Sequence, residues 1–294
     1  MVAARCARPD RPARAAHAPV YYTAGVQRVD TADGWKLALG RYAPEGSGRA
    51  ALLLTHAMMA SARTLRSLAT GLASRGFDVF ALDFRGHGQS GPPRAREADW
   101  SFDDYVRFDL PAALDAVKRT ARCREVAYVG HSLGGLVGLA AGAPFSRQVL
   151  VATCVWRFGP RTPWQRKLMM ATYRRLVRTL GYAPIRALRM GSDDEPRGYV
   201  EQLTDCAFHD HWRSRDGTND YAAGLGAIRT PTLSLVAGRD ALCTRRDAQA
   251  VFDPLGAREK ELRVVEHVSG HFGLLRDGWV WEEVTRWIAS GPST

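Results

Sequence analysis

Cysteine is scarce in this chain, with five residues among 294. They are widely spaced, and no two form a C-x-x-C pair: Cys6, Cys123, Cys154, Cys206 and Cys243. A small disulfide framework or a structural zinc site needs paired, regularly spaced thiols. The pattern favours neither of these, and it predicts a protein of a reducing compartment, the cytoplasm.

The sequence also lacks a long apolar run of the kind that crosses a membrane or forms a secretory signal. Its first residues, 1–20, are rich in arginine, alanine and proline and nearly free of acidic residues. An organellar transit peptide has a similar composition, but its amphipathic helix would tolerate these prolines poorly. We therefore expect a disordered leader at 1–20 and no integral membrane segment.

Lysine is almost absent, although the net charge is +11 and the isoelectric point is about 9.8. It occurs only at Lys36, Lys118, Lys167 and Lys260. A strong positive charge raises the question of a nucleic-acid partner. The arginines are mostly scattered, however, and alanine and glycine are also abundant, which is typical of a GC-rich genome. We predict no nucleic-acid partner.

Hydrophobic residues make up 46% of the chain, which is enough to form the core of one large α/β domain. A hairpin is predicted over 21–43, with Asp33-Gly34 at its turn. Apolar strands and helical segments then alternate, which predicts a mostly parallel central sheet with helices on both faces. The other predicted strands lie at 50–55, 78–82, 126–129, 148–153, 232–236 and 262–268.

The alternation is interrupted between residues 156 and 226. Helical patterns, but no convincing strand, occur there at 164–180, 184–190 and 199–204. We therefore predict a helical cap insertion at 156–226, within an α/β core formed by 21–155 and 227–294. An insertion where two sheet strands open would cover any site located there.

The segment Gly130-His131-Ser132-Leu133-Gly134 matches the pattern G-x-S-x-G. A predicted strand precedes it, and an apolar, glycine-rich helix follows. A strand that turns sharply into a helix would strain Ser132 and expose its hydroxyl at the edge of the sheet. A glycine-rich turn with a helix-capping serine would look similar, but the strand–turn–helix context favours a nucleophilic Ser132.

A serine hydroxyl becomes a nucleophile when a base accepts its proton and an acid orients that base. Asp240 directly follows the strand at 232–236, where the acid is expected, and the end of the preceding strand offers no carboxylate. The alternative role for Asp240 is to cap the next helix. His271 lies after the last strand and before the last helix, as the base should, whereas His267 is still on the strand and is predicted to be structural.

Negative charge that develops on an acyl oxygen needs two N–H donors. The amide of Leu133 is the first candidate, because it directly follows Ser132 at a helix N-terminus. The second should come from the loop after the strand at 50–55, where Met58 is the best candidate. His56 is predicted to shape that loop through backbone hydrogen bonds and not to act as a second base.

Two further groups of residues have possible functions. His209 and His211 could bind a metal ion, but no third ligand has a suitable spacing, and we predict no metal site. On the long helix of the predicted insertion, Met169, Met170 and Tyr173 share an apolar face. This face either packs as in an ordinary amphipathic helix or lines an acyl pocket, where methionine would adapt to the shape of the chain.

Four motifs follow one another along the chain: Asp83-Phe84-Arg85-Gly86-His87-Gly88-Gln89-Ser90, Gly130-His131-Ser132-Leu133-Gly134-Gly135, Gly238-Arg239-Asp240 and Gly270-His271-Phe272-Gly273. In this order they resemble the α/β-hydrolase superfamily, and within it the bacterial lysophospholipase-like or serine-aminopeptidase-like hydrolases. The resemblance covers about 26–288, apart from the insertion. Members of the family often carry His-Gly after their third strand, whereas this chain has His56-Ala57.

The resemblance implies a serine hydrolase that cleaves carboxylic esters or thioesters through an acyl-enzyme, with Ser132, Asp240 and His271 as its triad. It implies a small-molecule acyl ester as the substrate, and no cofactor is predicted. An acyltransferase or a peptidase on the same scaffold is the alternative enzyme. A non-catalytic ligand-binding protein with this fold is the alternative from another class.

Overall fold

Strands and helices alternate in the computed structural model of the protein, which describes residues 22–44, 49–121, 125–160 and 162–290. The predicted leader at 1–20 lies outside these residues. The strands are β1 (Tyr22–Asp30), β2 (Lys36–Tyr42), β3 (Ala51–Thr55), β4 (Asp78–Asp83), β5 (Val126–His131), β6 (Gln148–Val151), β7 (Tyr182–Ala183), β8 (Glu195–Pro196), β9 (Thr232–Arg239) and β10 (Lys260–Ser269). The α-helices are α1 (Arg66–Ala73), α2 (Phe102–Asp104), α3 (Leu110–Ala121), α4 (Leu133–Ala141), α5 (Trp164–Leu180), α6 (Arg197–Phe208), α7 (Tyr221–Gly224), α8 (Arg245–Phe252) and α9 (Gly278–Ala289). No helix in the described ranges is both long and apolar enough to cross a membrane.

Eight of the strands form one sheet in the order β1-β2-β4-β3-β5-β6-β9-β10. β2 is antiparallel to both of its neighbours, and every other adjacent pair after it is parallel. The predicted hairpin and mostly parallel sheet are thus confirmed. Because the carboxyl ends of parallel strands lie at one edge of a sheet, the residues that follow β3, β5, β9 and β10 are brought to the same side of the molecule.

Apolar side chains cover both faces of the sheet. Along β3, Leu53 belongs to the cluster on one face, and Leu52 and Leu54 belong to the cluster on the other. All three are fully buried, and each contributes roughly 1.5–3 kcal/mol of transfer free energy. Successive side chains of a strand point to opposite faces, so a strand covered on both sides must be apolar throughout.

Residues 156–226, which we call the insertion, connect β6 to β9. The helix predicted at 164–180 is confirmed as α5. Two other predictions are wrong, since 184–190 forms turns and β7 pairs with β8 as a short antiparallel sheet. Arg189 has a left-handed φ of 56°, and the Ser192 N–H just beyond donates to Met59 O in the core at 2.9 Å. These contacts prevail over the local helix propensity of the segment.

Candidate active site

Ser132 occupies the turn between β5 and α4, with φ 54° and ψ −113°. Such a conformation costs a residue with a Cβ of order 1–3 kcal/mol, and the surrounding structure has to hold it. The Ser132 N–H donates to Val151 O at 2.9 Å. A Cβ on Gly130 would lie 2.5 Å from the Cα of Gly135, so only glycine lets the helix begin this close to the strand. The predicted strand–turn–helix around Ser132 is present.

Asp240 and His271 are brought together by the ends of the neighbouring strands β9 and β10. His271 Nδ1 lies 2.8 Å from Asp240 Oδ2. The other carboxylate oxygen accepts the N–H groups of Leu242 and Cys243 at 2.8 and 3.1 Å. Thr244, and not Asp240, is the N-cap of α8. The alternative role of Asp240 as a helix cap is therefore wrong.

The surroundings of Asp240 suit an acid that orients a base. Burial raises the pKa of this carboxyl, but the hydrogen bond and charge of His271 and the two backbone donors hold it below its ordinary value. Asp240 is thus ionised at neutral pH and accepts the Nδ1–H of His271. That hydrogen bond leaves Nε2 of His271 as the basic nitrogen, and both His271 and Ser132 line one cavity.

Two other histidines flank the site. His267 is exposed and lies 3.2 Å from the Asp277 carboxylate, which agrees with a structural role. His131 is buried, and its Nε2 donates to the backbone oxygen of His271 at 3.0 Å. Burial lowers the pKa of His131 to about 3, so the ring is neutral and supports the His271 loop. This contact could not be predicted from local sequence, because it joins residues 140 positions apart.

The loop after β3 brings Met58 to the cavity that Leu133 also lines. His56 shapes this loop as predicted, since its Nδ1 donates to Ala57 O at 2.8 Å and its Nε2 accepts the Phe84 N–H at 3.1 Å. Burial lowers the pKa of His56 to about 3, which keeps it neutral. Leu133 begins α4, where backbone N–H groups have no partner within the helix. Met58 and Leu133 therefore border the cavity from two different elements.

The cavity at Ser132 has a volume of about 290 Å³ and a mainly apolar wall. The core and the insertion both contribute to this wall, through Leu136, Phe272, Trp156, Met190, Tyr199 and Leu203. The described residues that line it include no carboxylate. A larger groove of about 790 Å³ is lined by charged side chains and contains neither Ser132 nor His271.

Of the three residues predicted to contact an acyl chain, one lines the cavity and two do not. Met170 is buried and lines the cavity. Met169 is 48% exposed and is not among the lining residues, and Tyr173 packs against the core without reaching the cavity. Neighbouring residues of an α-helix differ in direction by about 100°, which separates Met169 from Met170. The apolar face of α5 thus serves mostly for packing, with Met170 at the cavity.

Ion pairs connect the segment around Arg85 and His87 to the core and to the insertion. Arg85 is buried and forms ion pairs of 2.7 Å with Asp33 and with Asp109. His87 is also buried, 3.3 Å from Oε1 of Glu195 in the insertion. Glu195 could not be singled out from the sequence, because nothing local distinguishes it from the two aspartates that precede it.

On the insertion, α6 places Asp205 beside His209 and His211. The Asp205 carboxylate lies 3.0 Å from His209 Nδ1 and 3.3 Å from His211 Nε2, and the three ligating groups lie within 4.8 Å of one another. Asp205 is thus a third group beside the two histidines, which the spacing in the sequence did not reveal. Arg174 also lies 3.8 Å from Asp205, so this carboxylate already has a cationic partner. None of the three residues lines the cavity at Ser132.

This chain is similar in sequence to a known protein family and to known lipases. The family described as "Serine aminopeptidase, S33" matches residues 46–271. Human gastric triacylglycerol lipase is 32% identical over 131 residues, which make up 38% of this chain and 33% of the lipase. This chain therefore spans about a third of that relative's length.

Solved structures show the same fold. DcsB, determined in complex with a substrate analogue, superposes with a TM-score of 0.68 at 17% identity, covering 92% of this chain and 99% of DcsB. An esterase of Pyrococcus furiosus superposes with a TM-score of 0.65 at 17% identity, covering 93% of this chain and 92% of the esterase. The α/β-hydrolase fold expected from the sequence is thus confirmed. Because the family match extends over most of the chain, this protein belongs to the S33 serine aminopeptidase family of the α/β-hydrolase superfamily.

Proposed function

We propose that this protein is a serine hydrolase that cleaves carboxylic esters or thioesters of small molecules through an acyl-enzyme. The observation that carries the proposal is the 2.8 Å hydrogen bond between His271 and Asp240. It lies beside a cavity that also contains Ser132 on its strained turn. A base oriented by a buried carboxylate, in one cavity with a serine hydroxyl, is the arrangement that nucleophilic acyl transfer requires.

In the proposed mechanism, His271 Nε2 accepts the Ser132 proton while the serine oxygen attacks the acyl carbon. Asp240 keeps the imidazole oriented and stabilises the imidazolium that forms. The amides of Leu133 and Met58 donate hydrogen bonds to the oxyanion of the tetrahedral intermediate. His271 then protonates the departing oxygen or sulfur, which leaves as the alcohol or thiol. In the second half, His271 accepts a proton from a water molecule that attacks the acyl carbon, the bond to the Ser132 oxygen breaks, and that oxygen regains a proton from His271 as the acid is released.

We further propose that the insertion acts as a cap and that its apolar residues receive the acyl group. Trp156, Met170 and Leu203 of the insertion line the same cavity as Ser132. Each methylene removed from water contributes about 0.8 kcal/mol, so the wall favours chains longer than acetyl.

The name of the family suggests a second candidate function, the removal of an N-terminal amino acid from a peptide. Such a substrate carries an ammonium group close to the bond that is cleaved, and a carboxylate is its usual partner in a protein. The described lining of the cavity offers no carboxylate. This favours an uncharged acyl group over an aminoacyl group.

The wild-type protein tests both candidates with p-nitrophenyl esters from acetate to dodecanoate and with aminoacyl p-nitroanilides. We expect ester hydrolysis, with kcat/KM rising by about one to two decades as a few methylenes are added, because each one adds buried apolar surface. Faster cleavage of the anilides would overturn the assignment to esters. A flat profile across chain lengths would contradict the acyl pocket.

Met170→Ser is expected to lower kcat/KM for the long esters by about tenfold while changing acetate hydrolysis little, because part of the apolar contact is lost. Met169→Ser is the matched control, since it makes the same change on the adjacent, exposed position of α5. The measurement is kcat/KM against chain length for both folded variants. Equal effects of the two substitutions would show that α5 only supports the fold.

A further inference from the structure

A buried carboxylate of the insertion contacts the loop that follows β3. Glu195 in β8 is fully buried, and its Oε1 accepts the backbone N–H of Met59 at 2.5 Å. The same oxygen lies 3.3 Å from Nε2 of His87, whose Nδ1 lies 2.8 Å from Arg85 O. Burial alone would lower the pKa of His87, but the charge and hydrogen bond of Glu195 raise it to about 9. A protonated His87 therefore balances the charge of Glu195.

The carbonyl side of Met59 is held by the same part of the insertion. The Ser192 N–H donates to Met59 O at 2.9 Å. A Cβ on Gly191 would lie 2.2 Å from that oxygen, so the close approach requires glycine. Both backbone polar groups of Met59 are thus bonded to the insertion, and Met59 has a left-handed φ of 60°, which is uncommon for a residue with a side chain.

The other end of this loop is held by the core. The backbone oxygen of His56 accepts the Gly134 N–H, in the first turn of α4, at 3.1 Å. Met58 therefore lies between one residue fixed by the nucleophile helix and another fixed by the insertion. The direction of the Met58 N–H depends on both ends of this short loop.

We propose that Glu195 is a positioning residue for the oxyanion hole, which acts by holding Met59 in the left-handed turn that aims the Met58 amide at the reacting oxygen. Glu195 is not among the residues that line the cavity, so it acts through Met59 and not on the substrate. This inference rests on the proposed function. It follows that the hole is complete only when the insertion is seated on the core.

A substitution at Gln202 of α6 distinguishes the proposed positioning role of Glu195 from a general role in attaching the insertion to the core. It is also buried, its Oε1 accepts the Phe102 N–H at 3.0 Å, and its Nε2 donates to Asp103 Oδ1 at 2.8 Å. It does not line the cavity. A change at Gln202 therefore weakens the contact between insertion and core without altering the hydrogen bond to Met59.

The experiment measures kcat, KM and the Kd of an alkyl boronic acid, which forms a tetrahedral adduct with the active serine, for full-length variants. Loss of a whole oxyanion donor costs about 10²–10³ in kcat, so a misplaced donor in Glu195→Ala should cost about tenfold to a hundredfold. KM should change little, and the boronate should bind more weakly by the same factor. Glu195→Gln keeps an oxygen for the Met59 N–H and should recover most of the activity. Gln202→Ala should stay within about twofold of wild type in kcat when corrected for the folded fraction.

Glu195→Met serves as a second variant, because it retains about the volume of the side chain while it removes the acceptor for the Met59 N–H and the charge beside His87. It keeps the test decisive if the alanine variant does not fold. Unchanged boronate affinity in the folded Glu195→Ala or Glu195→Met variant, or an equal loss in Gln202→Ala, would overturn the inference. A wild-type protein without ester hydrolysis would instead contradict the proposed function, so the two failures are distinguishable.

Discussion

Replacing Ser132 with alanine is expected to reduce kcat for ester hydrolysis by about five to six orders of magnitude. The effect should be this large because the acyl-enzyme can no longer form, and loss of the nucleophile in another serine hydrolase has a cost of that size. The residual rate would come from the oxyanion donors and from substrate binding. The measurement is a steady-state assay at high enzyme concentration, with circular dichroism to confirm folding.

Ser192→Ala is the matched control for this substitution. Ser192 also lines the cavity, but its hydroxyl donates to the Asp193 carboxylate at 2.6 Å. We expect its kcat to stay within about threefold of wild type, because its backbone contact with Met59 is retained. Retention of more than about 1% of kcat by Ser132→Ala, or a comparable loss in Ser192→Ala, would mean that the nucleophile lies elsewhere.

His271→Ala is expected to lower kcat by about three or more orders of magnitude, since Ser132 then has no base. The same substitution at His267 should leave kcat nearly unchanged and lower only the melting temperature. His267 contacts Asp277 and Trp279 on the surface and does not line the cavity. Initial rates and melting temperatures of both variants check this difference. Equal kinetic losses in the two folded proteins would contradict the assignment of the base.

The fold and the candidate triad could be predicted because their signals are local. Ser132 lies between glycines that a sharp turn requires, and Asp240 and His271 each follow a strand that its apolar run identifies. Parallel strands then bring the three residues to one edge of the sheet without further information. The hydrogen bond between Asp240 and His271 has the partners that this topology predicts.

The insertion was less predictable, because its structure depends on contacts that are distant in the sequence. The segment 184–190 has helical residues, but the anchoring of Ser192 to Met59 turns the chain instead. Glu195 could not be identified because its partners, Met59 and His87, are more than a hundred positions away. Such contacts leave no periodic pattern in the sequence.

The rotation of helix α5 about its axis was likewise not predictable from the sequence. Its period predicted an apolar face that included Met169, Met170 and Tyr173, and all three belong to the helix. Which of them reaches the cavity depends on how α5 rotates against α6 and the core. Buried contacts with Phe158 and Ala207 direct Met170 inward, and Met169 stays exposed.

In the proposed mechanism, Ser132 is a nucleophile activated by His271 and Asp240. Treatment of the full-length protein with an alkyl fluorophosphonate tests this role, with the adduct located by intact-mass and peptide mass spectrometry. The proposed mechanism predicts one adduct per chain, on Ser132, formed much more slowly in His271→Ala and absent in Ser132→Ala. An adduct on any other residue, or labelling of Ser132→Ala at the wild-type rate, would contradict it.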